Sequence, residues 1–318
     1  EMIKTLEERK FPIQNLIPLA SERSEGAPVY FKEKCIRTKV LKSDSFKDID
    51  FALFSAGSSI SKEFAGPATE QGAVVIDNTS FFRMHKDVPL VVPEVNSSVL
   101  KSHNGIIANP NCSTAQMVMA LKPIHDEVGL ERVIVSTYQS VSGAGKEAIL
   151  ELENQTRQNL NGNQIEKEVF SHEIAFNVIP QIDVFLDNGY TKEEMKMIEE
   201  TKKILGDDNI QVSATTVRVP VFVGHSESVN IQTKKPISVE KVRSLLSSMD
   251  GVNVMDDPVN GIFPTPKDLA GKDDVYVGRI RRDLSHPNGI EMWIVSDNLR
   301  KGAALNAVQI AEALVSVG

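Results

Sequence analysis

One cysteine lies where a protein chain can make a thiol reactive. Residues 109–114 read Asn-Pro-Asn-Cys-Ser-Thr, after a short apolar run that ends at Ala108 and before a predicted helix. A thiol at a helix N-terminus meets free backbone N–H groups and the positive end of the helix dipole, and both favour the thiolate. The carboxyl edge of a parallel sheet is also where α/β proteins hold ligands. Cys112 is therefore a candidate nucleophile; the alternative is an inert, half-buried cysteine.

A thiol nucleophile needs a base, and the sequence offers six histidines. His225 is the best candidate, because Gly224-His225-Ser226 interrupts a long predicted strand at 212–233, and such interruptions redirect side chains. Arg218 lies in the same run. Strict alternation would put Arg218 and His225 on opposite faces, so both face one site only if Pro220 or Gly224 distorts the strand. The alternative for His225 is an ordinary hydrogen-bonded histidine.

Two glycine- and serine-containing turns invite a nucleotide interpretation. The segment 142–146, with Gly143 and Gly145, imitates a dinucleotide fingerprint, but a single match is weak; it fits a catalytic-loop turn or a helix-initiating turn equally well. The segment 21–24 follows what would be the second strand of a dinucleotide domain. Its Arg and Ser residues suit a ribose 2′-phosphate, whereas Glu22 suits a 2′-hydroxyl, and the alternative is a solvated turn.

The element pattern predicts an α/β fold. Four continuous apolar runs, at 51–54, 73–76, 89–92 and 105–108, are typical of strands buried in a parallel sheet, and a short strand is predicted at 15–20. Helices are predicted at 58–72, 113–128, 146–161, 191–205, 238–249 and 302–317, and strands at 132–139, 275–282 and 291–296. A parallel-sheet nucleotide domain followed by a long-stranded second domain is the simplest interpretation.

Composition narrows the class of protein. The 318 residues carry 35 basic and 43 acidic side chains, a net charge of −8, without a basic tract that would indicate nucleic acid or anionic membrane as a partner. Two cysteines are too few for a disulfide framework and suit a cytoplasmic protein. No closely spaced ligand set predicts a metal site. The chain opens inside a helical pattern, and we expect residues upstream of Glu1.

The sequence resembles the aspartate-semialdehyde dehydrogenase family along nearly its whole length. The matching stretches occur in the same order as in the family. They run from Leu19 to Gly26, Phe54 to Ser59, Asp77 to Arg83, Val91 to Asn96, Asn109 to Thr114, Ser136 to Gly145, Phe176 to Ile182, Glu200 to Lys203, Arg218 to Glu227, and Ser296 to Leu299. The family opens with a strand and a Gly-rich phosphate-binding turn that this sequence lacks.

The resemblance implies an NADP-dependent enzyme that interconverts β-aspartyl phosphate and aspartate β-semialdehyde plus phosphate in lysine, methionine, threonine and diaminopimelate biosynthesis. Cys112 would form a thioester, His225 would act as general acid and base, and Gln139 would position the acyl group. The implied substrate contacts are Arg218 with the α-carboxylate, Glu200 with the ammonium, and Arg83 and Lys203 with phosphate. The implied cofactor contacts are Ser21, Arg23, Ser24, Ser55, Gly57, Gly143 and Asn298.

The residues themselves support these roles unevenly. Glu200 and Lys203 share a helix face, but such a pair taken alone is more typical of a surface salt bridge. Arg83 lies in a polar segment that by itself predicts a solvent-exposed side chain. The role of Gln139 depends wholly on the resemblance.

The resemblance also implies a domain division. Residues 1–112 and 302–318 would form a Rossmann-type NADP-binding domain, and 113–301 an α+β catalytic and dimerisation domain, in a homodimer or a tetramer. Three alternatives stay open: a relative that reduces N-acetyl-glutamyl phosphate, in which the carboxylate of Glu200 would be out of place; a thiol hydrolase built on Cys112 and His225; and a truncated, non-catalytic subunit.

Overall fold

A computed structural model describes residues 1–317 of the chain, which divides into two compact units. The first comprises Glu1–Pro110 with the chain from Ala304 onward, and the second comprises Asn111–Ala303. Within the described residues, no helix is both long enough and apolar enough to cross a lipid bilayer.

The described residues of the first unit form short strands and four α-helices. Its elements are α1 (Met2–Glu8), β1 (Leu19–Ala20), β2 (Pro28–Phe31), β3 (Lys34–Arg37), β4 (Lys39–Val40), β5 (Phe51–Phe54), α2 (Ser58–Glu70), β6 (Val74–Asp77), α3 (Pro93–Asn96), β7 (Ile106–Ala108) and the C-terminal helix Leu305–Val317.

Its parallel strands confirm the predicted α/β, Rossmann-type class. β5, β6 and β7 form a parallel sheet in that order, and β1 pairs in parallel with β4. The register aligns Phe54 with Asp77 and Asp77 with Ala108, so the carboxyl ends of the three strands lie at one edge. Ile76 and Ile107 are fully buried with Val308 of the C-terminal helix, which explains the continuous apolar runs.

Three local features of this unit differ from the predictions. The strand predicted at 15–20 is reduced to β1, directly after Pro18, which has no N–H to donate. The strand predicted at 89–92 forms a single bridge between Leu90 and Ala108. The β2–β3 hairpin was not predicted; its turn residues Lys32 and Glu33 both adopt positive φ, a conformation that their residue types do not announce.

The second unit contains a six-stranded mixed sheet. Its elements are α4 (Cys112–Val128), β8 (Leu130–Gln139), α5 (Lys146–Leu160), α6 (Lys192–Leu205), β9 (Gln211–Arg218), β10 (His225–Thr233), α7 (Val239–Ser247), β11 (Val252–Val254), α8 (Pro266–Leu269), β12 (Val275–Arg282) and β13 (Gly289–Ser296). The strand order is β11-β12-β13-β10-β8-β9.

One predicted strand of this unit was wrong. The run 212–233 forms two strands, and β9 ends at Arg218 while β10 begins at His225. β9 runs parallel to β8 on one side, and β10 runs antiparallel to β8 on the other. Pro220 cannot donate to a sheet, and Gly224 adopts a φ of +96°, so the connection leaves the sheet between the two strands.

The two faces of this sheet differ in burial. On the face covered by helices, Val133, Val135 and Val229 are at most 1% exposed, and α4 is buried along most of its length. On the other face, Ile134 and Trp293 are half-buried and Tyr138 is exposed. The second unit therefore presents one side of its sheet with aromatic and aliphatic groups partly open to solvent.

Candidate active site

The strand ends of the second unit bring three of the predicted residues together. Gln139 ends β8 and is the register partner of Arg218, which ends β9, and His225 begins β10 next to β8. The alternation problem between Arg218 and His225 disappears, because the two residues belong to different strands on either side of Gln139. Because β9 and β10 pair with opposite sides of β8, the side chains of Gln139, Arg218 and His225 come together at one end of the sheet.

Cys112 is the first residue of α4. The side-chain oxygen of Asn111 caps this helix by accepting from the backbone N–H groups of Ser113, at 3.0 Å, and Thr114, at 3.3 Å. Cys112 is partly exposed and takes part in no disulfide among the described residues. Gly302 packs so closely against it that a Cβ at position 302 would lie 2.7 Å from the Cβ of Cys112. The thiol thus lies at a capped helix N-terminus whose neighbour must lack a side chain.

Arg218 supplies a buried positive charge to the same region. Its Nη1 donates to the carbonyl oxygen of Ser140 at 2.7 Å, and its guanidinium lies 6.0 Å from the ring centre of Phe170. Burial lowers the pKa of Arg218, and the charges of Cys112 and Glu193 oppose that shift. The charge of Arg218 interacts favourably with that of Cys112, and this interaction stabilises the thiolate.

His225 is fully buried and held in one orientation. Its Nδ1 accepts a hydrogen bond from the backbone N–H of Ser140 at 3.1 Å, so the neutral ring carries its proton on Nε2. Burial, with help from the Arg218 charge, holds the pKa of His225 well below its ordinary value, and the ring is neutral at pH 7. Nε2 has no hydrogen-bond partner among the described residues. The ring therefore offers one N–H donor.

The loop after β8 approaches these groups at Gly143. A Cβ added at Gly143 would lie 3.0 Å from Nη1 of Arg218 and 3.2 Å from Nε2 of His225. Asn298 fixes the loop: its Oδ1 accepts from the side chains of Ser140 and Ser142 and from the backbone N–H of Gly224. The amide of Asn298, predicted to lie near the cofactor, is thus engaged in holding the loop.

Two predicted substrate residues lie on α6. Glu200 is 1% exposed, and its Oε2 accepts from the backbone N–H of Asn111 at 2.6 Å, so it touches the residue before the cysteine. Lys203 is half-buried; burial lowers its pKa, and the charge of Glu200 opposes that shift. The pair is therefore not the exposed surface salt bridge that its sequence spacing alone would indicate.

The predicted cofactor residues of the first unit follow the ends of strands and are exposed. Ser21, Arg23 and Ser24, after β1, are exposed, as are Ser55 and Gly57 after β5. Gly57 has a φ of +103° and open space where a Cβ would lie, so the backbone here leaves room for a ligand.

Arg83 corrects the expectation from its polar segment. It is 8% exposed, and its guanidinium donates to the carbonyl oxygens of Asn109, at 2.9 Å, and Asn78, at 3.1 Å. Asn109 lies 26 positions from Arg83 in the sequence, so the residues around Arg83 do not indicate this contact.

Four residues of the second unit were missed as site residues. Asn111 caps the cysteine helix, Ser140 orients His225, Gly302 packs on Cys112, and the buried Glu193 accepts from Asn111 and Gln139. Asn111 could have been found, because Asn is a preferred cap directly before the predicted helix. Nothing in the sequence around Glu193 distinguishes it from the other acidic residues at the start of α6.

The fold and site define a class: a dehydrogenase with a Rossmann-type unit and a mixed-sheet unit that carries a cysteine at a helix N-terminus. The family described as Semialdehyde dehydrogenase, NAD binding domain, matches residues 1–103, and that described as Semialdehyde dehydrogenase, dimerisation domain, matches residues 121–301.

Curated relatives and solved structures identify the family more specifically. An aspartate-semialdehyde dehydrogenase from Aquifex aeolicus is 57% identical over 99% of this chain and 94% of its own. The crystal structure of aspartate semialdehyde dehydrogenase II from Vibrio cholerae, complexed with ASA, is 54% identical with a TM-score of 0.96, covering 99% of this chain and 94% of its own. That of the Candida albicans enzyme with NADP is 26% identical with a TM-score of 0.77, covering 98% and 94%. The chain belongs to the aspartate-semialdehyde dehydrogenase family.

Proposed function

We propose that this enzyme reduces β-aspartyl phosphate to aspartate β-semialdehyde and inorganic phosphate, reversibly, with NADPH and through a thioester on Cys112. The observation that supports it most is the second unit's combination of three groups: Cys112 at a capped helix N-terminus, the buried guanidinium of Arg218, whose charge interacts with that of Cys112, and the neutral imidazole of His225, which lies with Arg218 beside Gly143. That arrangement suits a thiolate nucleophile and a carbonyl oxygen that becomes negative.

The chemistry proceeds by acyl transfer and then reduction. The Cys112 thiolate attacks the carbonyl carbon of the acyl phosphate, the C–O bond to phosphate breaks, and a thioester forms. NADPH, when bound, supplies the hydride that reduces the thioester carbon. The resulting oxyanion collapses, the C–S bond breaks, and the aldehyde leaves as the Cys112 thiolate is restored. The oxidative direction reverses each step, with phosphate cleaving the thioester.

His225 assists at the oxygen of the reacting carbonyl. We expected a general acid and base, and the hydrogen bond from Ser140 to Nδ1 gives this role a definite form. The neutral ring donates from Nε2 to the oxyanion of each tetrahedral intermediate, where a preformed donor in a dry site is most effective. Proton uptake at Nε2 requires the ring first to move its proton to Nδ1, against the N–H of Ser140.

Charged groups of the second unit suit an amino-acid substrate. Arg218 would pair with the α-carboxylate through guanidinium nitrogens other than the one bonded to Ser140, and Glu200 with the α-ammonium. Gln139 would orient the acyl group without titrating. The phosphate roles of Lys203 and Arg83, and the cofactor roles of Gly143 and Asn298, stay predictions.

The first unit suits a nicotinamide dinucleotide at its strand-end loops. Gly57 leaves the backbone open to close approach by a ligand, and the exposed Ser21, Arg23 and Ser24 would bind the 2′-phosphate that distinguishes NADP from NAD. The Candida albicans relative with NADP supports this choice.

A homodimer accounts for the half-exposed sheet face of the second unit. Ile134, Tyr138 and Trp293 form an apolar strip there, and a second copy would cover it. Ile134→Arg should lower the mass measured by light scattering to that of a monomer; an unchanged mass would place the interface elsewhere. A thiol nucleophile needs reducing conditions, and we place the enzyme in the cytoplasm.

The deciding experiment follows NADPH formation from aspartate β-semialdehyde with and without inorganic phosphate. Phosphate-dependent formation supports the proposal. Hydrolysis of an activated ester of aspartate, offered without phosphate or nucleotide, would instead support a thiol hydrolase. N-acetylglutamate semialdehyde is the matched control substrate, because its acylated nitrogen carries no charge for Glu200. A preference for the control, or folded protein inactive with both, would overturn the assignment.

A further inference from the structure

Glu193 occupies a central position that none of the roles above uses. It lies in the first turn of α6 and is only 5% exposed. Its Oε1 accepts from Nδ2 of Asn111 at 2.7 Å and from Nε2 of Gln139 at 3.3 Å. Its Oε2 accepts from Nζ of Lys196 at 3.1 Å. One buried carboxylate therefore joins the cap of the cysteine helix to the end of β8.

The contact to Asn111 determines which way that amide faces. The Asn111 oxygen caps α4 by accepting from the backbone N–H groups of Ser113 and Thr114, so its amino group must point elsewhere. Glu193 accepts that amino group. A rotated amide would set Nδ2 against two N–H donors and leave the start of α4 uncapped, beside Cys112.

The contact to Gln139 has the same effect on a second amide. Nε2 of Gln139 donates to Glu193 and to Oγ1 of Thr137, both at 3.3 Å. With both of its amino hydrogens engaged, Gln139 has its carbonyl oxygen left for a ligand. Gln139 is itself 2% exposed, so the acceptor that receives its amino group fixes what this side chain can offer.

Lys196 holds the far side of the carboxylate. Nζ bonds both Glu193 and Asp183, and these two acids outweigh the effect of burial and raise the pKa of Lys196, which keeps its charge. The pair between Lys196 and Glu193 is largely buried, with 19% and 7% of the two side chains exposed. Here it assigns the two oxygens of Glu193: Oε2 faces a cation, and Oε1 faces two amides.

We propose that Glu193 is a positioning residue that sets the orientation of the Asn111 and Gln139 amides on either side of the Cys112 helix start. This inference rests on the proposed function for its kinetic test, and it has a second readout that does not.

The test exploits the difference between the two oxygens. In Glu193→Gln the new amino group and Lys196 are both donors, so the glutamine turns its amino group toward Asn111 and Gln139. We expect turnover to fall roughly 10- to 100-fold, since small misplacement of reacting groups has effects of this size. NADPH affinity should stay close to that of the parent, and the thermal midpoint should fall by no more than a few degrees, the cost of one lost helix cap.

The rescue variant is Glu193→Gln with Lys196→Gln. The oxygen of the second glutamine accepts the amino group of the first, which returns its carbonyl to Asn111 and Gln139. Turnover should recover at least about tenfold over the single variant, the size of the effect ascribed to orientation. Lys196→Gln alone is the matched control and should stay near the parent.

The second readout is alkylation of Cys112 by iodoacetamide in a Cys35→Ser background, which removes the exposed second thiol. Loss of the Asn111 cap should slow alkylation at neutral pH in Glu193→Gln, and the rescue variant should restore it. The three proteins could show this pattern of alkylation while the parent shows no phosphate-dependent activity. In that case the proposed function fails and the positioning role stands.

Three results would overturn the positioning role. They are turnover within twofold of the parent in the single variant, losses of turnover and alkylation that only track loss of folded protein, and a folded double variant that recovers neither. The last would mean that the charge of Glu193, and not the orientation of the amides, is what matters.

Discussion

The two units treat the polar residues at their strand ends in opposite ways. In the first unit, Ser21, Arg23 and Ser24 are exposed on a short turn, where each side chain can contact a ligand independently of the others. In the second unit, His225 and Gln139 are at most 2% exposed, and each is held by hydrogen bonds to other buried groups. Exposed residues act nearly independently, whereas residues in one network are coupled. Changes in the first unit should therefore alter affinity, and changes in the second should alter turnover.

The sharpest test of that division removes the thiol. Cys112→Ala should lower turnover by about 10⁴-fold or more, as expected when a covalent nucleophile is lost, while NADPH affinity is preserved. Steady-state kinetics and NADPH fluorescence titration measure the two quantities. Cys35→Ala, which changes the exposed cysteine, is the matched control and should be neutral. Were NADPH affinity to fall as far as turnover, the nucleophile assignment would be wrong or the fold damaged.

A single methyl group at Gly143 tests how tightly the second site is packed. In Gly143→Ala the new Cβ would meet Arg218 at 3.0 Å and His225 at 3.2 Å, so both must shift. Turnover should fall roughly 10- to 100-fold, because a misplacement of reacting groups by about 1 Å costs about 100-fold and both side chains must give way here. Gly145→Ala alone is a poor control, since Gly145 has a φ of +99°; Ala144→Gly on the same loop is preferable. A variant with unchanged turnover would show that the loop has room to yield.

The exposed turn of the first unit should respond in affinity. Arg23→Ala should raise the KM for NADPH roughly 10- to 100-fold, the value of a charged hydrogen bond of about 1.5–3 kcal/mol, with turnover nearly unchanged. NADH, which lacks the 2′-phosphate, should be little affected. Lys34→Ala, at an exposed position of the same unit, is the control. Equal losses for NADPH and NADH would remove Arg23 from 2′-phosphate recognition.

The smallest expected effect concerns stability. Glu227 is fully buried on β10, and burial raises its pKa well above the ordinary value, against a weaker opposing effect of Gln116. The folded protein thus keeps a proton that the unfolded chain releases above its ordinary pKa, and stability declines as pH rises from there. Glu227→Gln removes this decline, so its thermal midpoint should exceed the parent's increasingly from pH 5 to 8, by roughly 2–4 °C for each kcal/mol regained.

Calorimetry of both proteins across that pH range decides the matter. Glu131→Gln, at an exposed position of β8, is the control and should follow the parent. Parallel curves for Glu227→Gln and the parent would show that Glu227 does not hold its proton in the folded state.

Local sequence signals predicted the elements that carry the site. Continuous apolar runs predicted the parallel strands β5, β6 and β7, since both of their faces are buried. The position of Cys112 at a helix start followed from the Pro110 interruption, and in the structure α4 begins at Cys112. These features depend on neighbouring residues only, and for that reason they can be inferred from the sequence.

Pairing between distant segments could not be inferred in the same way. The pattern at 212–233 is equally consistent with one strand or two, and only the placement of β9 and β10 on opposite sides of β8 decides it. That placement resolves how Arg218 and His225 lie near one another. Burial of Arg83 depends likewise on carbonyl oxygens at Asn78 and Asn109, the second of them distant in sequence.

The sequence by itself determined the α/β class, the start of the cysteine helix and, through its ordered motifs, the family. The tertiary structure decided the tautomer of His225, the engagement of Asn298 with the loop after β8, and the central place of Glu193. The physical reason is the distance along the sequence over which each interaction acts. Strand periodicity and helix capping act over a few residues, whereas the hydrogen bond from Asn111 to Glu193 joins residues 82 positions apart and exists only once both are buried together.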